Sequence, residues 1–412
     1  MYEYQKNNKY FAQVTGGTEE LCAQELLELG AVNTNQAYRG VYFEADLLTL
    51  YKINYTSRLL TRVLAPLVSF HCRTPQMITK TAEKISWENF LSVNETFAIT
   101  ASVAKSSINN SLYAAQVLKD GIADYFRDKY SRRPDVNTEN PTVRFNLFIE
   151  KDNAIISIDT SGESLHKRGY RLLAGEAPMQ ETLAAAIIKI SGWKGEKPLW
   201  DPMCGSGTIL CEALMHYCNI PTQYLRKNFG FFHMPGYIKS EWVKLKEEID
   251  SKIRPLPDGL ISGTDKSQRI IKVAEENASR LPFGDKIKLS GQPFQHVKGF
   301  QNGVLITNPP YGIRLGNAEE VQALYKELGD YIKQNCTGTS AYIYTGDPSL
   351  RKHIGLKTSR RIPLVNGNLE GVLLQIDSYE GTKKKQWQDD LEQNPDSTRQ
   401  LGSTERKMPR SE

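Results

Sequence analysis

The sequence predicts an α/β fold in which a mainly parallel sheet fills the second half of the chain and an α+β region precedes it. From about residue 180, short apolar strands alternate with amphipathic helices, which is the order expected of βαβ units. The first 160 residues instead mix helices with strands and end in two strands around the polar turn 150–153. Near the end of the chain, Asn366-Gly367 is a strong hairpin signal, so we expect the parallel sheet to finish in an antiparallel hairpin.

The first half divides into a short segment, residues 1–45, and a longer one, residues 46–160. The short segment is too small to be stable alone. The longer one contains an Arg-rich stretch at 131–140 in which we expect no regular structure. The elements that we expect are, in chain order, a strand at 10–14, a helix at 18–29, a strand at 40–43, a helix at 46–58, an apolar run at 59–70, a helix at 79–90, a strand at 96–102, a helix at 112–129 and strands at 143–149 and 154–159.

The second half predicts five parallel strands and two hairpin strands, at 198–201, 260–264, 287–289, 304–307, 341–345, 358–364 and 372–377. An insertion at 219–257, with aromatic residues at Phe229–Phe232, interrupts the alternation. We expect it to lie at one end of the sheet. Residues after 378 are polar and have few apolar side chains to bury, which predicts a disordered tail.

The bulk properties exclude several classes of protein. No apolar run approaches the roughly 20 residues that cross a bilayer, and the N-terminus lacks the apolar core of a secretory signal. We therefore expect a cytoplasmic protein with no membrane partner. The six cysteines form no Cys-x-x-Cys pair and have no histidine at metal-ligand spacing, which predicts small buried thiols and no metal site. A net charge of +5 neither requires nor excludes a nucleic-acid partner.

A glycine-containing turn, Asp201–Thr208, lies between the first predicted parallel strand and the helix that follows it. Gly205 and Gly207 allow a sharp turn and the close approach of a ligand at the carboxyl end of a strand, where open α/β sheets bind ligands. The segment is neither a Walker loop nor a complete Gly-x-Gly-x-x-Gly fingerprint. By itself it indicates a structural turn as readily as a cofactor loop.

An acidic residue, Asp265, ends the next predicted strand. One βα unit after a glycine-rich turn, such a carboxylate is placed to accept both hydroxyls of a ribose. The same residue is equally suited to cap the helix that begins beside it. The sequence leaves both interpretations open.

The segment Asn308-Pro309-Pro310-Tyr311 follows the predicted strand 304–307 and is the most specific feature of the sequence. In a chain of this length it would occur by chance roughly once in a thousand cases. Its prolines give a rigid exit from the strand and leave carbonyls free as acceptors. The Asn308 side-chain oxygen and the Pro309 carbonyl can accept both hydrogens of an exocyclic amine, and a base can stack on Tyr311. This grip orients the nitrogen lone pair, which predicts SN2 methyl transfer to a nucleobase amine.

The order and spacing of these three motifs resemble those of class I S-adenosylmethionine-dependent amino methyltransferases. More narrowly, Ser164–Arg171 (Ser-Leu-His-Lys-Arg-Gly-Tyr-Arg), with Glu181–Ala186 and Ser191–Trp193, resembles the THUMP-domain RNA methyltransferases. Within that group, the chain resembles the bacterial enzymes that make N2-methylguanine in large-subunit ribosomal RNA. The resemblance covers about residues 8–378.

This resemblance implies a Rossmann-like class I methyltransferase domain at 181–378, preceded by a ferredoxin-like piece at 1–45, a THUMP RNA-binding domain at 46–160 and a linker at 161–180. It implies S-adenosylmethionine as cofactor and RNA as partner, with N2 of a guanine in 23S ribosomal RNA as the target. The relatives' acidic adenine-binding residue is replaced here by Gln292, which can act as an acceptor. The implied cofactor residues are Asp201, Met203, Cys204, Gly205, Gly207, Thr208, Asp265, Gln292 and Thr182, and the implied catalytic residues are Asn308, Pro309, Pro310 and Tyr311.

Six basic residues are candidate phosphate contacts under this resemblance, and for each one a solvated basic surface is the alternative. Two lie in the Arg-rich loop, one on the closing hairpin and three on the linker. They are Arg132, Arg133, Arg144, Lys167, Arg168 and Arg171.

Three alternatives to guanine methylation of ribosomal RNA remain open at this point. The first is a transfer-RNA substrate with the same chemistry. The second is N6 methylation of adenine in DNA or RNA, which uses the same tetrapeptide. The third is a non-catalytic ribosome-assembly factor, against which the intact Asn308–Tyr311 segment argues. The sequence predicts no oligomeric state.

Overall fold

The fold of the first half is a mixed sheet accompanied by helices. The computed structural model describes residues 1–172, 179–312, 318–367 and 369–378. In the first half its elements are α1 (Glu3–Asn7), β1 (Lys9–Val14), α2 (Glu19–Leu29), β2 (Val32–Ala37), β3 (Gly40–Glu44), α3 (Leu47–Thr56), β4 (Leu60–His71), α4 (Pro75–Ala82), β5 (Thr96–Ala104), α5 (Ser111–Tyr130), β6 (Asp135–Val136), β7 (Val143–Glu150) and β8 (Asn153–Asp159).

Among the described residues these strands form one eight-stranded sheet in the order β2-β3-β1-β4-β8-β7-β5-β6, which we call the N-terminal sheet. Strands β1 and β4 pair antiparallel, with Phe11 opposite Leu64, so the sheet continues across residue 45. The predicted hairpin is β7 and β8, which pair antiparallel with Glu150 opposite Asn153. Side-chain caps start two of the helices: Asp46 accepts from the backbone of Thr49 in α3, and Asn110 caps α5 in the same way.

Three local predictions in the first half were wrong. The polar strand β2 was not expected, because its exposed residues give no apolar alternation. The helix expected at 79–90 is instead α4 followed by a 3₁₀ turn at Trp87–Asn89, since the buried Trp87 indole N–H donates to the Ala82 carbonyl at 2.8 Å and turns the chain. The stretch 131–140 contains β6, which extends the sheet beside β5.

The second half has the expected alternation of strands and helices. Its elements are α6 (Glu181–Ser191), β9 (Leu199–Asp201), α7 (Thr208–Cys218), α8 (Lys239–Asp250), β10 (Ile261–Asp265), α9 (Gln268–Ser279), β11 (Lys288–Gly291), β12 (Val304–Thr307), α10 (Ala318–Asn335), β13 (Ser340–Thr345), α11 (Arg351–Ile354), β14 (Arg360–Asn366) and β15 (Leu369–Asp377).

In the described part of this half, the strands form a seven-stranded sheet in the order β11-β10-β9-β12-β13-β15-β14, which we call the C-terminal sheet. The strands from β11 to β13 are parallel, and β15 pairs antiparallel with both β13 and β14. The predicted fold class, a parallel sheet closed by an antiparallel hairpin behind an α+β region, is confirmed. Because β10 and β12 flank β9 on opposite sides, the chain reverses direction across the sheet at β9, where such sheets bind ligands.

The aromatic part of the insertion packs into the first half, which was not expected, whereas Ile220 and Leu256 near its ends lie in the core of the C-terminal sheet. The Phe231 and Tyr51 rings stack with centroids 4.5 Å apart, and the Trp242 ring meets Tyr55 edge-on at 5.3 Å. Phe229, Phe231 and Trp242 are buried with the core of the N-terminal sheet. The reason is that α3 leaves large rings uncovered, and aromatic side chains gain most from burial against one another. The insertion thereby joins the two halves of the chain.

Several predictions concern what the described residues contain. All six cysteines in the described ranges are free and buried, which confirms the prediction of small buried thiols. Within these ranges no helix has the length and apolar character needed to span a bilayer. No group of three or more His, Cys, Asp or Glu side chains in the described part of the chain is arranged to hold a metal ion. The tail predicted at 379–412 lies outside the described residues.

Candidate active site

The three predicted motifs meet at one edge of the C-terminal sheet. Strand β9 ends at Asp201, β10 at Asp265 and β12 at Thr307. The register aligns these ends, since Gly263 of β10 lies opposite Asp201. The carboxyl ends of the parallel strands therefore place the Asp201–Thr208 loop between Asp265 on one side and Asn308 on the other.

The glycine loop turns through two left-handed residues before α7 begins. Gly205 has a φ of 52° and Gly207 a φ of 83°, and Gly207 is the N-cap residue of α7. A Cβ added to Gly207 would lie 3.2 Å from the Cβ of Ala274, so the loop packs closely on α9 there. A Cβ added to Gly205 would meet no atom within 4 Å. The backbone at Gly205 therefore faces open space, as a ligand-binding turn requires.

The Asp265 carboxylate is joined to the glycine loop. Its Oδ2 accepts from the Gly205 backbone N–H at 3.2 Å, and its Oδ1 accepts from Ser267 N–H at 2.9 Å. The side-chain cap of α9 is Ser267, which accepts from the Ile270 backbone. Asp265 therefore does not cap the helix and lies half-buried at the edge of the loop, with lone pairs left to accept further hydrogen bonds.

The other residues of the loop differ in exposure. Asp201 is buried, and its Oδ1 accepts from the Met203 backbone at 3.1 Å. Burial raises the pKa of the Asp201 carboxyl to about 7. Cys204 and Thr208 are buried as well, whereas Met203 and Gly205 are half-buried. Met203 and Gly205 therefore form the more accessible side of the loop, and the cofactor contacts expected of all five residues stay predictions.

The Asn308 Oδ1 is screened from solvent and has no hydrogen-bond partner among the described residues. A buried acceptor without a partner costs about 1–3 kcal/mol, so it marks a place where a donor is expected. Pro309 is buried and Pro310 half-buried beside it. Thr182, at the start of α6, also has a buried hydroxyl without a partner among these residues.

The Tyr311 ring is held from two sides. It meets the Tyr344 ring edge-on with centroids 6.3 Å apart, and a Cβ added to Gly346 would lie 2.4 Å from Tyr311 Cε2. Burial raises the pKa of the Tyr311 hydroxyl, an effect partly offset by a hydrogen bond with the Asn366 side chain. Asn366 Oδ1 also accepts from the Gln180 backbone at 3.2 Å. Sequence reasoning read Asn366 only as a turn residue and missed this positioning contact.

Gln292 directly follows β11, the strand beside β10, and is half-buried. It therefore lies on the same side of β9 as Asp265, at the carboxyl end of the next strand. This position is where the resemblance expects a contact to adenine.

Two of the predicted RNA contacts have partners within the protein. The Arg168 and Glu212 side chains are both 0% exposed, with Arg168 Nε 3.2 Å from Glu212 Oε1. Arg171 Nη2 donates to the Met179 carbonyl and to Thr208 Oγ1, each at 2.9 Å, and lies 3.3 Å from Glu181. The Arg168 guanidinium is not free to meet a phosphate, because it is fully buried, whereas the Arg171 side chain keeps 16% of its surface exposed. The prediction for Arg168 was therefore wrong, and that for Arg171 stays a prediction.

The other four candidates keep some access to solvent. Arg132 and Arg133 are exposed, and Arg132 Nη2 donates to Asn94 Oδ1 at 3.2 Å. Lys167 is exposed and forms an ion pair with Glu163 at 2.6 Å. Arg144 is half-buried and donates to the backbone carbonyls of the 137–140 turn. Burial lowers the pKa of Arg144, and the nearby Arg62 lowers it further. These four contacts remain predictions.

Comparison with known families finds three matches along the chain. The description "RMKL-like, methyltransferase domain" matches residues 168–375, "THUMP domain" matches residues 72–159, and "RlmL ferredoxin-like domain" matches residues 9–64. The order of the three matches is the order of the ferredoxin-like, THUMP and methyltransferase parts that the resemblance implies.

Relatives and solved structures match over most of the chain. "Putative RNA methyltransferase slr0064" of Synechocystis sp. is 37% identical over 90% of this chain and 97% of its own length. "Ribosomal RNA large subunit methyltransferase K/L" of Syntrophotalea carbinolica is 36% identical over 90% of this chain, which spans only 54% of that relative. The crystal structure of "SMU.472, a putative methyltransferase complexed with SAH" superposes with a TM-score of 0.80 at 30% identity, covering 91% of this chain and 99% of the other.

Proposed function

Because the chain belongs to the RMKL-like methyltransferase family, we propose that it transfers a methyl group from S-adenosylmethionine to the exocyclic N2 amine of a guanine in large-subunit ribosomal RNA. The observation that carries this proposal is the buried Asn308 Oδ1, which lacks a hydrogen-bond partner among the described residues. Asn308 follows β12, beside β9, where the chain reverses direction across the C-terminal sheet. An amine N–H is the donor that such an acceptor fits.

The residues around the glycine loop suit S-adenosylmethionine. The open backbone at Gly205 leaves room for the methionine part, and the Asp265 carboxylate beside it is placed to accept the ribose hydroxyls. Gln292, one strand further from β9, accepts from the adenine amine in this scheme. Bound there, S-adenosylmethionine supplies an electrophilic methyl group on a sulfonium. The match to a methyltransferase structure complexed with SAH supports this cofactor.

The chain's own residues hold the nucleophile. Asn308 Oδ1 and the Pro309 carbonyl accept the two amine hydrogens, so that the nitrogen lone pair is directed toward the methyl group. Tyr311, fixed by Asn366 and Tyr344, supports the base by stacking. No strong base is needed before attack, because the methylated nitrogen is far more acidic than the amine and loses its proton afterwards. In this scheme none of the described histidines acts as a base on the amine.

The RNA substrate is supported by the THUMP match at 72–159 and by the names of the relatives. The chain spans about half the length of the K/L relatives that it matches, so their ribosomal substrate enters here as part of the proposal. Guanine is supported by the resemblance of the linker Ser164–Arg171 to N2-methylguanine-forming enzymes.

The test compares Asn308→Ala with Asn308→Asp. Alanine removes the acceptor and should lower kcat by at least about a hundredfold, as the loss of one aligned hydrogen bond at a reacting group does. Aspartate keeps an acceptor oxygen and should retain part of the activity. Affinity for RNA and for S-adenosylmethionine should stay near that of the unaltered protein in both variants. If Asn308→Ala turns over at the unaltered rate, the amine-holding role is wrong.

A further inference from the structure

The turn between β2 and β3 places an exposed tyrosine and an arginine beside the C-terminal hairpin. Tyr38 is 90% exposed, and its neighbour Arg39 donates from Nη2 to the Gly367 carbonyl at 3.3 Å. A Cβ added to Gly16 would lie 3.5 Å from Arg39 Nε and 3.7 Å from Val365 Cγ2, so the arginine lies along the hairpin. The N-terminal sheet therefore touches the β14–β15 hairpin at this turn.

The turn is held in one conformation. Arg39 has a φ of 53°, a backbone region that non-glycine residues rarely occupy. Glu19 accepts from the backbone N–H groups of Arg39 at 3.2 Å and Gly17 at 2.8 Å. A Cβ added to Gly40 would lie 2.1 Å from Phe11 Cζ, so only glycine fits after Arg39. These contacts fix the backbone of the turn, at which the Tyr38 side chain is exposed to solvent.

The same hairpin reaches the candidate active site. Its Asn366 is hydrogen-bonded to the Tyr311 side chain and to the Gln180 backbone. A Cβ added to Gly346 would lie 2.4 Å from Tyr311 Cε2 and 2.5 Å from Leu369 Cδ2, so the Tyr311 ring and the Leu369 side chain both pack against Gly346. Leu369 is itself 44% exposed. Contacts through Asn366 and Gly367 of the hairpin thus link Tyr311 to Arg39, the neighbour of Tyr38.

We propose that Tyr38 and Arg39 bind a nucleotide that flanks the target guanine, with Tyr38 stacking on its base and Arg39 contacting its phosphate. The inference rests on the proposed RNA substrate. Recognition of unpaired RNA depends on aromatic side chains that stack on splayed bases and on arginines that meet phosphates. An exposed tyrosine next to an arginine in the chain, linked through the β14–β15 hairpin to the residue that supports the target base, has this chemistry. It also gives the N-terminal half a part in positioning the substrate.

The experiment uses the full chain with in vitro transcribed 23S ribosomal RNA and the variants Tyr38→Ala, Tyr38→Phe and Arg39→Gln. Tyr38→Ala should raise KM for RNA about tenfold, the size of one lost base stack, with kcat and S-adenosylmethionine affinity unchanged. Tyr38→Phe keeps the ring and should behave like the unaltered protein. Arg39→Gln should raise KM and flatten the salt dependence of RNA binding. Arg280→Gln, at an exposed position after α9, is the matched charge control and should change neither.

An unchanged KM in Tyr38→Ala would overturn the inference, and so would a loss of activity that Tyr38→Phe shares. A fall in thermal stability or in S-adenosylmethionine affinity would show a structural role and overturn it as well. Direct RNA binding of the same variants separates this proposal from the proposed function. If the unaltered protein binds RNA through Tyr38 but methylates no guanine, only the proposed reaction fails.

Discussion

Replacing Arg168 by methionine should strongly lower the free energy of unfolding. It should leave the number of contacts between the protein and RNA phosphates unchanged. The Arg168 guanidinium is buried between the two halves, where it pairs with Glu212 on α7 and donates to the Leu165 and Arg58 carbonyls. Tyr170 donates to the same Glu212 carboxylate at 3.2 Å. The substitution keeps much of the side-chain volume but leaves the Glu212 charge buried without its cation.

The magnitude follows from the burial of both partners. Removing one member of a buried ion pair costs roughly 3–5 kcal/mol, because the remaining charge is uncompensated. Two backbone carbonyls lose a charged donor in addition. The double variant Arg168→Met with Glu212→Met removes the stranded charge and should recover most of the loss. Lys167→Met is the matched control: its ion pair with Glu163 is exposed and should contribute at most about 1 kcal/mol.

Urea unfolding measures these differences, and the dependence of RNA affinity on salt concentration measures the number of phosphate contacts. We expect Arg168→Met to unfold at a much lower urea concentration. The slope of RNA affinity against salt concentration should be unchanged in the folded variant. If Arg168→Met is as stable as the unaltered protein and its salt slope falls by about 0.7–0.9, the guanidinium meets a phosphate and the structural role is refuted.

Three further predictions concern the glycine loop with Asp265 and the Arg-rich loop. Asp265→Ala should weaken S-adenosylmethionine binding by about 2 kcal/mol, roughly thirtyfold in Kd by calorimetry, because a charged acceptor is lost. Asp201 has a folded pKa of about 7, above its usual value of 3.8, so its contribution to stability is lost as pH rises from about 4 to 7. In the unaltered protein the free energy of unfolding from urea titrations should therefore fall by roughly 4 kcal/mol between pH 4 and pH 8 through Asp201, and Asp201→Asn should abolish this fall. Neutralising Arg132 and Arg133 together should lower RNA affinity and reduce the salt slope by up to about 1.4–1.8.

Each of these predictions has its own contrary result. Unchanged S-adenosylmethionine affinity in Asp265→Ala would mean that Asp265 does not bind the ribose. Asp265→Asn keeps an acceptor oxygen, so its affinity should lie between those of Asp265→Ala and the unaltered protein. Equal pH dependence in Asp201→Asn and the unaltered protein would show that Asp201 ionises normally. A salt slope that survives the loss of Arg132 and Arg133 would place the Arg-rich loop away from the RNA.

The sequence predicted most strands and the order of the site motifs, because these depend on local patterns. Asp201–Thr208 and Asn308–Tyr311 directly follow strands of apolar residues, and parallel strands bring such ends to one edge. The hairpin around Gly367 follows from Asn-Gly turn chemistry in the same local way.

The features that sequence reasoning missed all depend on contacts between distant parts of the chain. Arg168 was read as a phosphate contact because its neighbours are basic, yet Glu212, its partner, lies 44 residues further on. Asn366 reads as a turn residue until Gln180 and Tyr311 are brought beside it. The aromatic insertion similarly shows its role only when Tyr51 and Tyr55 of the first half lie against it. No local pattern encodes these pairings.

The central claim is that Asn308–Tyr311 directs a methyl group to N2 of guanine in ribosomal RNA. The most direct test incubates the purified chain and S-adenosylmethionine carrying a deuterated methyl group with in vitro transcribed 23S ribosomal RNA or, separately, with unmodified transfer RNA. Mass spectrometry of the nucleosides then identifies the product. We predict labelled N2-methylguanosine in the ribosomal RNA, and its absence when Asn308 is replaced by alanine. Label in N6-methyladenosine or 7-methylguanosine, in transfer RNA alone, or persisting in Asn308→Ala would contradict the account.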